Sequence, residues 1–205
     1  MMRSAVADVA VLQPRSLKHA LSLLRDERDL VPIAGCTDVF VTLNAGAKPA
    51  RHYLNLWGIA GLADIAERRG TIRIGALCTY TQMIRNERLN QCLPMLVEAA
   101  RTVGGLQIQN RGTLGGNIAN ASPAGDTLPV LAALEATIEL RSADTTRQVA
   151  FGEFYPGYRQ SVRRRDELHG VTPDQRRGRG AVHACQRVAD VNDATAVDDH
   201  DALLD

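Results

Sequence analysis

A polar stretch from Gly104 to Asp126 constrains the fold of this chain more than any other part of the sequence. It is dense in Gly, Asn, Ser and Thr, and it lies between two apolar periodic segments, Pro94–Val103 and Leu128–Leu134. Long loops without secondary structure are uncommon in compact domains, so this stretch needs a reason to exist. Its paired glycines, Gly115 and Gly116, let a ligand approach the backbone closely. The alternative is an Ω-loop that is held by its own Asn and Ser hydrogen bonds.

A second glycine motif, Pro32-Ile-Ala-Gly-Cys-Thr-Asp-Val39, follows the short apolar stretch Leu30–Ala34. A glycine in a turn after a strand can present backbone N–H groups in a concave nest that favours phosphate oxygens. The hydroxyl of Thr37 adds one donor. The alternative is a plain strand-to-helix turn, because short glycine motifs are weak evidence by themselves.

The first sixty residues predict a small α/β unit with parallel strands. Ala5–Leu12 reads as an opening strand, and Pro14 and Ser16 signal the start of a helix. Leu30–Ala34 and Tyr53–Leu56 are the next strand candidates, so strands and helices alternate.

A second unit begins near Leu62. The alternation over Thr71–Ala76 predicts a half-buried strand, and Thr79 is a candidate cap for a short helix over Thr79–Arg85. Ala136–Arg141 predicts a further strand, and Val149–Phe151 predicts the last one.

Composition excludes several classes of function. The net charge of +1 gives no reason to expect nucleic acid or an anionic membrane as a partner. The basic residues are almost all arginine, which we attribute to the codon bias of a GC-rich genome and not to a binding patch. The four cysteines are far apart in sequence, so they predict neither a zinc site nor an iron–sulfur cluster. With no apolar run of transmembrane length and no secretory signal pattern, the expected location is the cytoplasm.

Familiar catalytic and nucleotide motifs are absent from the sequence. Neither G-x-G-x-x-G nor G-x-x-x-x-G-K-[ST] occurs, Ser122 is not in a G-x-S-x-G context, and none of the five histidines has an evident partner. Two donor-rich glycine segments without an acid, base or nucleophile indicate a protein that holds a cofactor, with the chemistry done by that cofactor.

The two glycine motifs resemble the A-G-G-T-D-L and Q-I-R-N-x-G-T-x-G-G-N-x-x-x-x-x-P-x-x-D signatures of the FAD-binding subunit of molybdenum hydroxylases, the xanthine dehydrogenase and carbon monoxide dehydrogenase family. Leu54-Asn-Leu56, Ile74-Gly-Ala76 and Phe154-Tyr-Pro-Gly-Tyr-Arg159 fall in the family's order as well. The resemblance implies an α+β fold, the two-subdomain FAD-binding module of the vanillyl-alcohol oxidase (PCMH) type. It implies subdomains over residues 1–60 and 61–168.

The resemblance also implies a site. FAD is the implied cofactor, its pyrophosphate is embraced by both motifs through backbone N–H donors, and no residue is assigned to catalysis or to a metal. The implied FAD-binding residues are Pro32, Ile33, Ala34, Gly35, Cys36, Thr37, Asp38, Val39, Val103, Thr113, Leu114, Gly115, Gly116, Asn117 and Asp126.

The partners implied by the resemblance are an iron–sulfur small subunit, which supplies electrons, and a molybdenum-cofactor large subunit, which oxidises the substrate. The flavin then passes electrons to NAD or to another acceptor. Two alternatives stay open: a truncated, FAD-poor module that docks on partner subunits without redox activity, and a free-standing flavoprotein of the same fold.

The sequence departs from the family pattern in three places. Cys36 replaces the second glycine of A-G-G-T, and Gln109 stands where arginine is frequent. After Leu168 the expected Ile-rich strand gives way to an Arg/Gly run and an Asp-rich end. We therefore expect residues 169–205 to be an aberrant, disordered tail, from truncation or a frame change, in place of the family's C-terminal domain.

Overall fold

The computed structural model describes residues 9–68 and 71–172. The first part is a parallel three-stranded sheet in the order β1-β3-β2, with two helices between its strands. The parallel α/β unit predicted from the sequence is thereby confirmed. Its elements are β1 (Ala10–Leu12), α1 (Leu17–Asp26), β2 (Leu30–Ile33), α2 (Thr37–Asn44) and β3 (His52–Asn55).

Helix α1 begins where the sequence predicts it. The Ser16 side chain accepts a hydrogen bond from the backbone N–H of His19 and caps the helix. Ala20, Leu21 and Leu24 form the buried face of α1 and pack into one cluster with Leu54 of β3. Helix α2 has no buried residue, so only α1 is anchored in the core by its side chains.

The second part is an antiparallel five-stranded sheet in the order β4-β5-β8-β6-β7, with short helices packed against it. Its core joins Ile72, Ile138 and Val171 of the sheet to Met83 and Leu96 of the helices, all of them almost fully buried. Its elements are β4 (Ile65–Arg68), β5 (Thr71–Ile74), α3 (Tyr80–Arg85), α4 (Glu87–Cys92), α5 (Pro94–Thr102), α6 (Leu106–Gln109), α7 (Leu114–Asn120), α8 (Leu128–Ala133), β6 (Thr137–Arg141), β7 (Thr146–Ala150), α9 (Phe151–Phe154) and β8 (Leu168–Thr172).

We expected the polar stretch between α5 and α8 to be one long loop, and this expectation was wrong. It contains α6 and the two-turn helix α7. The Thr113 side chain caps α7 by accepting from the N–H of Gly116 at 3.0 Å. Leu114 and Ile118 then anchor the helix in the core. A cap and two apolar anchors one helical turn apart outweigh the low helix propensity of the glycines.

Strand β8 was not predicted, although it lies in the middle of the larger sheet. It pairs with β6 along its whole length and with β5 at Ile74 and Val171. The boundary expected after residue 168 therefore falls inside a strand that runs to Thr172. Residues 173–205, which make up most of the expected tail, lie outside the described residues.

A buried ion pair holds the entry into β8. The Glu167 carboxylate is almost fully buried, and it accepts from Arg147 Nε at 2.7 Å and from the backbone N–H of Arg164 at 2.7 Å. The hydrogen bond from Arg147 holds the pKa of Glu167 below its usual range. The pair ties β7 to the segment that leads into β8.

Across residues 9–68 and 71–172, every helix is too short or too polar to cross a membrane.

Candidate functional site

A cleft of about 310 Å³ lies between the two glycine segments. The whole of Pro32–Val39 lines one wall, and Thr113, Gly115, Gly116 and Asn117 line the other. The structure thus brings together most of the residues that the sequence singled out. Leu114 is fully buried in the core instead.

Two further predicted residues, Val103 and Asp126, are not among the residues that line this cleft. Val103 packs against the core of the second part. Asp126 is exposed and accepts a long hydrogen bond of 3.5 Å from Thr102 Oγ1. Its contact with a cofactor stays a prediction.

The wall formed by the first glycine motif presents free hydrogen-bond donors. Cys36 is the N-cap residue of α2, and its side chain makes no capping bond. Within the described chain, the backbone N–H groups from Gly35 to Val39 have no protein acceptor. Free N–H groups and the positive end of the helix dipole favour an anion at this point.

The opposite wall is different, because the N–H groups of α7 already have acceptors. Leu114 N–H donates to Cys78 O at 3.0 Å, and Gly115 N–H donates to Ala76 O at 2.9 Å. Gly116 N–H donates to the Thr113 hydroxyl, and Asn117 N–H donates to Thr113 O. Our expectation that these N–H groups donate to phosphate therefore needs correction. This wall can contact a ligand only through its surface shape and its side chains.

The glycines of the two motifs have different roles. A Cβ at Gly35 would overlap the carbonyl oxygen of Arg111, and a Cβ at Gly115 would come within 2.6 Å of Ala76 O. Both glycines are required by packing between neighbouring segments. A Cβ at Gly116 would meet only the Thr113 hydroxyl, at 2.9 Å. Gly116 is therefore the glycine whose missing side chain leaves room in the cleft.

Two side-chain contacts join the first and second parts of the chain, and the first of them lies in the cleft. Asn120 Nδ2 donates to Asp38 Oδ1 at 2.9 Å, which links the end of α7 to the start of α2. The guanidinium of Arg111 lies 4.0 Å from the centroid of the Trp57 ring. The first contact also restrains an acidic side chain at the start of α2, where the free N–H groups favour an anion.

Asn117 adds a polar group of fixed orientation. Thr127 Oγ1 donates to Asn117 Oδ1 at 2.7 Å and so holds the amide in place. Among the described residues the amide Nδ2 has no acceptor, and Asn117 lines the cleft. It is a candidate donor to a ligand.

His169 is a site residue that sequence reasoning missed. It lines the cleft from β8, and its Nε2 lies 2.7 Å from Gly115 O. A carbonyl oxygen only accepts, so Nε2 carries the proton. Burial lowers the pKa of His169 to about 4, so the ring is neutral at pH 7. No motif marks this histidine, and only a correct assignment of β8 would have found it.

Tyr80 and Cys36 also line the cleft. Burial raises the pKa of the Tyr80 phenol, and the negative charges of Asp38 and Asp126 raise it further. Burial also raises the pKa of the Cys36 thiol, so the thiol stays protonated at neutral pH. Cys36 has φ 63°, the left-handed conformation that favours the glycine expected at this position.

Comparison with known proteins agrees with the resemblance. The family model described as "FAD binding domain in molybdopterin dehydrogenase" matches residues 6–169. The chain is 34% identical over 163 residues to the nicotinate dehydrogenase FAD-subunit of Eubacterium barkeri, covering 78% of this chain and 54% of that protein. It is 30% identical over 146 residues to the carbon monoxide dehydrogenase medium chain of Afipia carboxidovorans, covering 71% of this chain and 51% of that protein.

A solved structure of CO dehydrogenase from Oligotropha carboxidovorans superposes with a TM-score of 0.78 at 27% identity. The match covers 84% of this chain and 60% of that chain. The present chain therefore spans only about half the length of the curated relatives that it matches.

Proposed function

The chain belongs to the family of FAD binding domains in molybdopterin dehydrogenases, and on that premise we propose that it is the FAD-binding subunit of a molybdenum hydroxylase. We propose further that its two parts are the subdomains of a PCMH-type FAD module, with the diphosphate of FAD in the cleft between them. One observation supports this placement: the N–H groups from Gly35 to Val39, which lack protein acceptors in the described chain, belong to residues that line the same cleft as Gly116.

The residues of the cleft fit a dinucleotide diphosphate. The start of α2 supplies donors and a favourable helix dipole for the phosphate oxygens. Gly116 leaves space for close approach, and Asn117 Nδ2 is a donor on the same wall. The cleft volume of about 310 Å³ lies near the lower end of the range of roughly 300–1,000 Å³ for small-molecule sites.

When bound, FAD supplies the capacity to accept and release one or two electrons. The chain's own residues bind and orient it. Gly35–Val39 hold the phosphates, Asn120 restrains the Asp38 carboxylate, and neutral His169 supports the backbone of Gly115. The thiol of Cys36 and the phenol of Tyr80 both have raised pKa values, so neither is an activated nucleophile, which suits a protein that leaves the chemistry to its cofactor.

The proposal includes the partners. Relatives named as a medium chain and as an FAD-subunit support a role beside other subunits. We propose an iron–sulfur small subunit as the electron donor and a molybdenum-cofactor large subunit as the site of substrate oxidation. The final acceptor is NAD or another oxidant, and the setting is cytoplasmic.

A second candidate is a docking module without redox activity. One observation favours it: Phe40 and Val41 are 57% and 66% exposed on α2, although both are large and apolar. Exposed apolar side chains of this kind are typical of a protein contact. In this reading the chain binds partner subunits but holds little FAD.

Flavin titration distinguishes the two candidates. Apo protein is titrated with FAD while flavin fluorescence and the visible spectrum are followed. Saturable binding at one FAD per chain, with perturbed flavin bands, is expected. Absence of binding at millimolar FAD, with a cooperative unfolding transition that shows a folded chain, would leave the docking module as the better description.

A further inference from the structure

A second cavity, of about 600 Å³, opens beside the cofactor cleft and has a basic wall. It shares Val31, Pro32 and Arg163 with the cleft. Among the described residues that line it, Asp29 is the acidic one. The basic residues are Arg28, Arg51, His52, Arg163 and Arg165. Arginines that the sequence scatters over the chain are thus gathered here.

Two of these arginines are fixed by backbone carbonyls. Arg165 Nη1 donates to Leu24 O at 3.1 Å and to Glu27 O at 2.9 Å, at the end of α1. Arg163 Nη1 donates to Glu167 O at 2.9 Å. Carbonyl acceptors hold a guanidinium in place without neutralising its formal charge, so both cations are preorganised.

The nearest buried carboxylate makes its hydrogen bonds to a different arginine. The side chain of Glu167 is occupied by Arg147, whose Nε and Nη2 donate at 2.7 and 2.9 Å. Over residues 9–68 and 71–172, Arg28, Arg51, Arg163 and Arg165 form no ion pair.

Arg163 gives the strongest reason to expect an anion. Burial lowers the pKa of its guanidinium, because water solvates the charge poorly there, and the negative charges of Glu167 and Asp166 oppose this shift without reversing it. A cation that is partly removed from water is costly unless an anion pairs with it. Every buried side-chain nitrogen of the described chain has a hydrogen-bond partner. The donors of Arg163 that lack a protein acceptor are therefore open to the cavities that it lines.

We propose that this basic cavity is an anion site for the diphosphate group of a small ligand, separate from the FAD held in the cleft. The planar guanidinium donates two parallel hydrogen bonds to phosphate oxygens, which suits a wall of arginines. A diphosphate reaches this site either as a free inorganic anion or as part of a nucleotide. The proposal does not depend on the proposed function, since the cavity exists whether or not the cleft holds FAD.

Calorimetric titration of the full chain tests the proposal, with inorganic pyrophosphate and ADP as probes at constant ionic strength. One-to-one binding is expected in the FAD-loaded protein, in which FAD occupies the cleft, and the apo protein should keep this site whether or not the start of α2 binds a second anion. The double substitution Arg28→Gln with Arg51→Gln should weaken binding at least tenfold. Both side chains are exposed, so the fold should survive, which a thermal melt checks. Tighter binding of ADP identifies a nucleotide as the source, and equal binding identifies the free anion; both outcomes support the site.

A matched control is the pair Arg15→Gln with Arg85→Gln, two exposed arginines outside both cavities. If both double variants weaken binding equally, the loss reflects only the lower net positive charge of the protein, and the proposal is overturned. Loss of pyrophosphate binding on loading with FAD would assign the anion subsite to FAD itself and also overturn it. If the protein binds no FAD, the titration of the apo protein still decides the matter.

Discussion

The two helix starts that face each other across the cleft are held in opposite ways. At α2 the N-cap residue Cys36 makes no capping bond, and the helix has no buried residue. At α7 the Thr113 hydroxyl, the Cys78 carbonyl and the Ala76 carbonyl satisfy the N–H groups, and Leu114 and Ile118 anchor the helix. In the proposed site, the N–H groups of α2 are available to the cofactor, whereas the anchored start of α7 forms a rigid wall on the other side.

The largest effect is expected from Gly116→Val, which fills the open side of the rigid wall. A Cβ at this position lies 2.9 Å from the Thr113 hydroxyl, and the valine methyl groups would occupy the cleft. Flavin retention should fall below detection while the fold persists, as measured by bound FAD per chain and by circular dichroism. Gly152→Val is the matched control, because a Cβ there meets nothing within 4 Å. Full FAD occupancy in the Gly116 variant would contradict the role of this wall.

A smaller effect is expected from Asp126→Ala, which tests a residue that does not line the cleft. If Asp126 accepts from a ribose or ribitol hydroxyl, the charge-assisted bond contributes about 1.5–3 kcal/mol. The dissociation constant for FAD should then rise roughly ten- to hundredfold. Asp144→Ala, at an exposed carboxylate of the β6–β7 turn, is the control. An unchanged constant would remove Asp126 from the site.

The free energy of unfolding should depend on pH through His169, which holds the backbone of Gly115 at the start of α7. Its folded-state pKa of about 4 lies below the ordinary histidine value of 6.5, so the unfolded chain binds the extra proton first as the pH falls. The stabilising contribution is therefore complete above about pH 6.5 and is lost as the pH falls toward 4. We expect a loss on the order of 1–2 kcal/mol from this group, since partial exposure reduces the full shift. Urea unfolding across this range, compared between wild type and His169→Asn, measures it. Identical slopes would show that His169 does not titrate in this way.

The smallest effect is expected from Cys36→Gly at the open start. Relief of the left-handed conformation gains about 1–2 kcal/mol, and the extra backbone freedom of glycine costs about 0.5–1 kcal/mol. The variant should therefore be more stable by up to about 1.5 kcal/mol, with FAD affinity unchanged or slightly higher. Cys92→Gly within α4 is the contrast, because glycine in a helix should be destabilising there. A destabilised Cys36→Gly protein would indicate that the thiol has a packing role.

The sequence predicted the parallel unit well because its signals are local. Ser16 caps α1, and the apolar residues of that helix recur at the spacing that the structure buries. It also predicted that the two glycine motifs meet, through their resemblance to a known pair of motifs.

The remaining features depend on tertiary contacts. The capped state of α7 needs the Ala76 and Cys78 carbonyls, which lie far from α7 in the chain. Strand β8 contains Gly170 and a histidine and has no clear alternation, so only pairing with β6 identifies it. The four arginines of the basic cavity come from three segments of the chain, and composition alone assigned them to codon bias.

The central place of β8 has a consequence for the order in which the molecule assembles. The hairpins β4–β5 and β6–β7 join neighbours in sequence and can form as soon as each pair leaves the ribosome. The five-stranded sheet cannot close until residues 168–172 are also released, because β8 alone joins the two hairpins. Pairings between distant segments form slowly, and unpaired strand edges stay exposed until they do. During synthesis, the edges of β5 and β6 are therefore open to chaperones. They are also open to the same strands of neighbouring chains on one polysome.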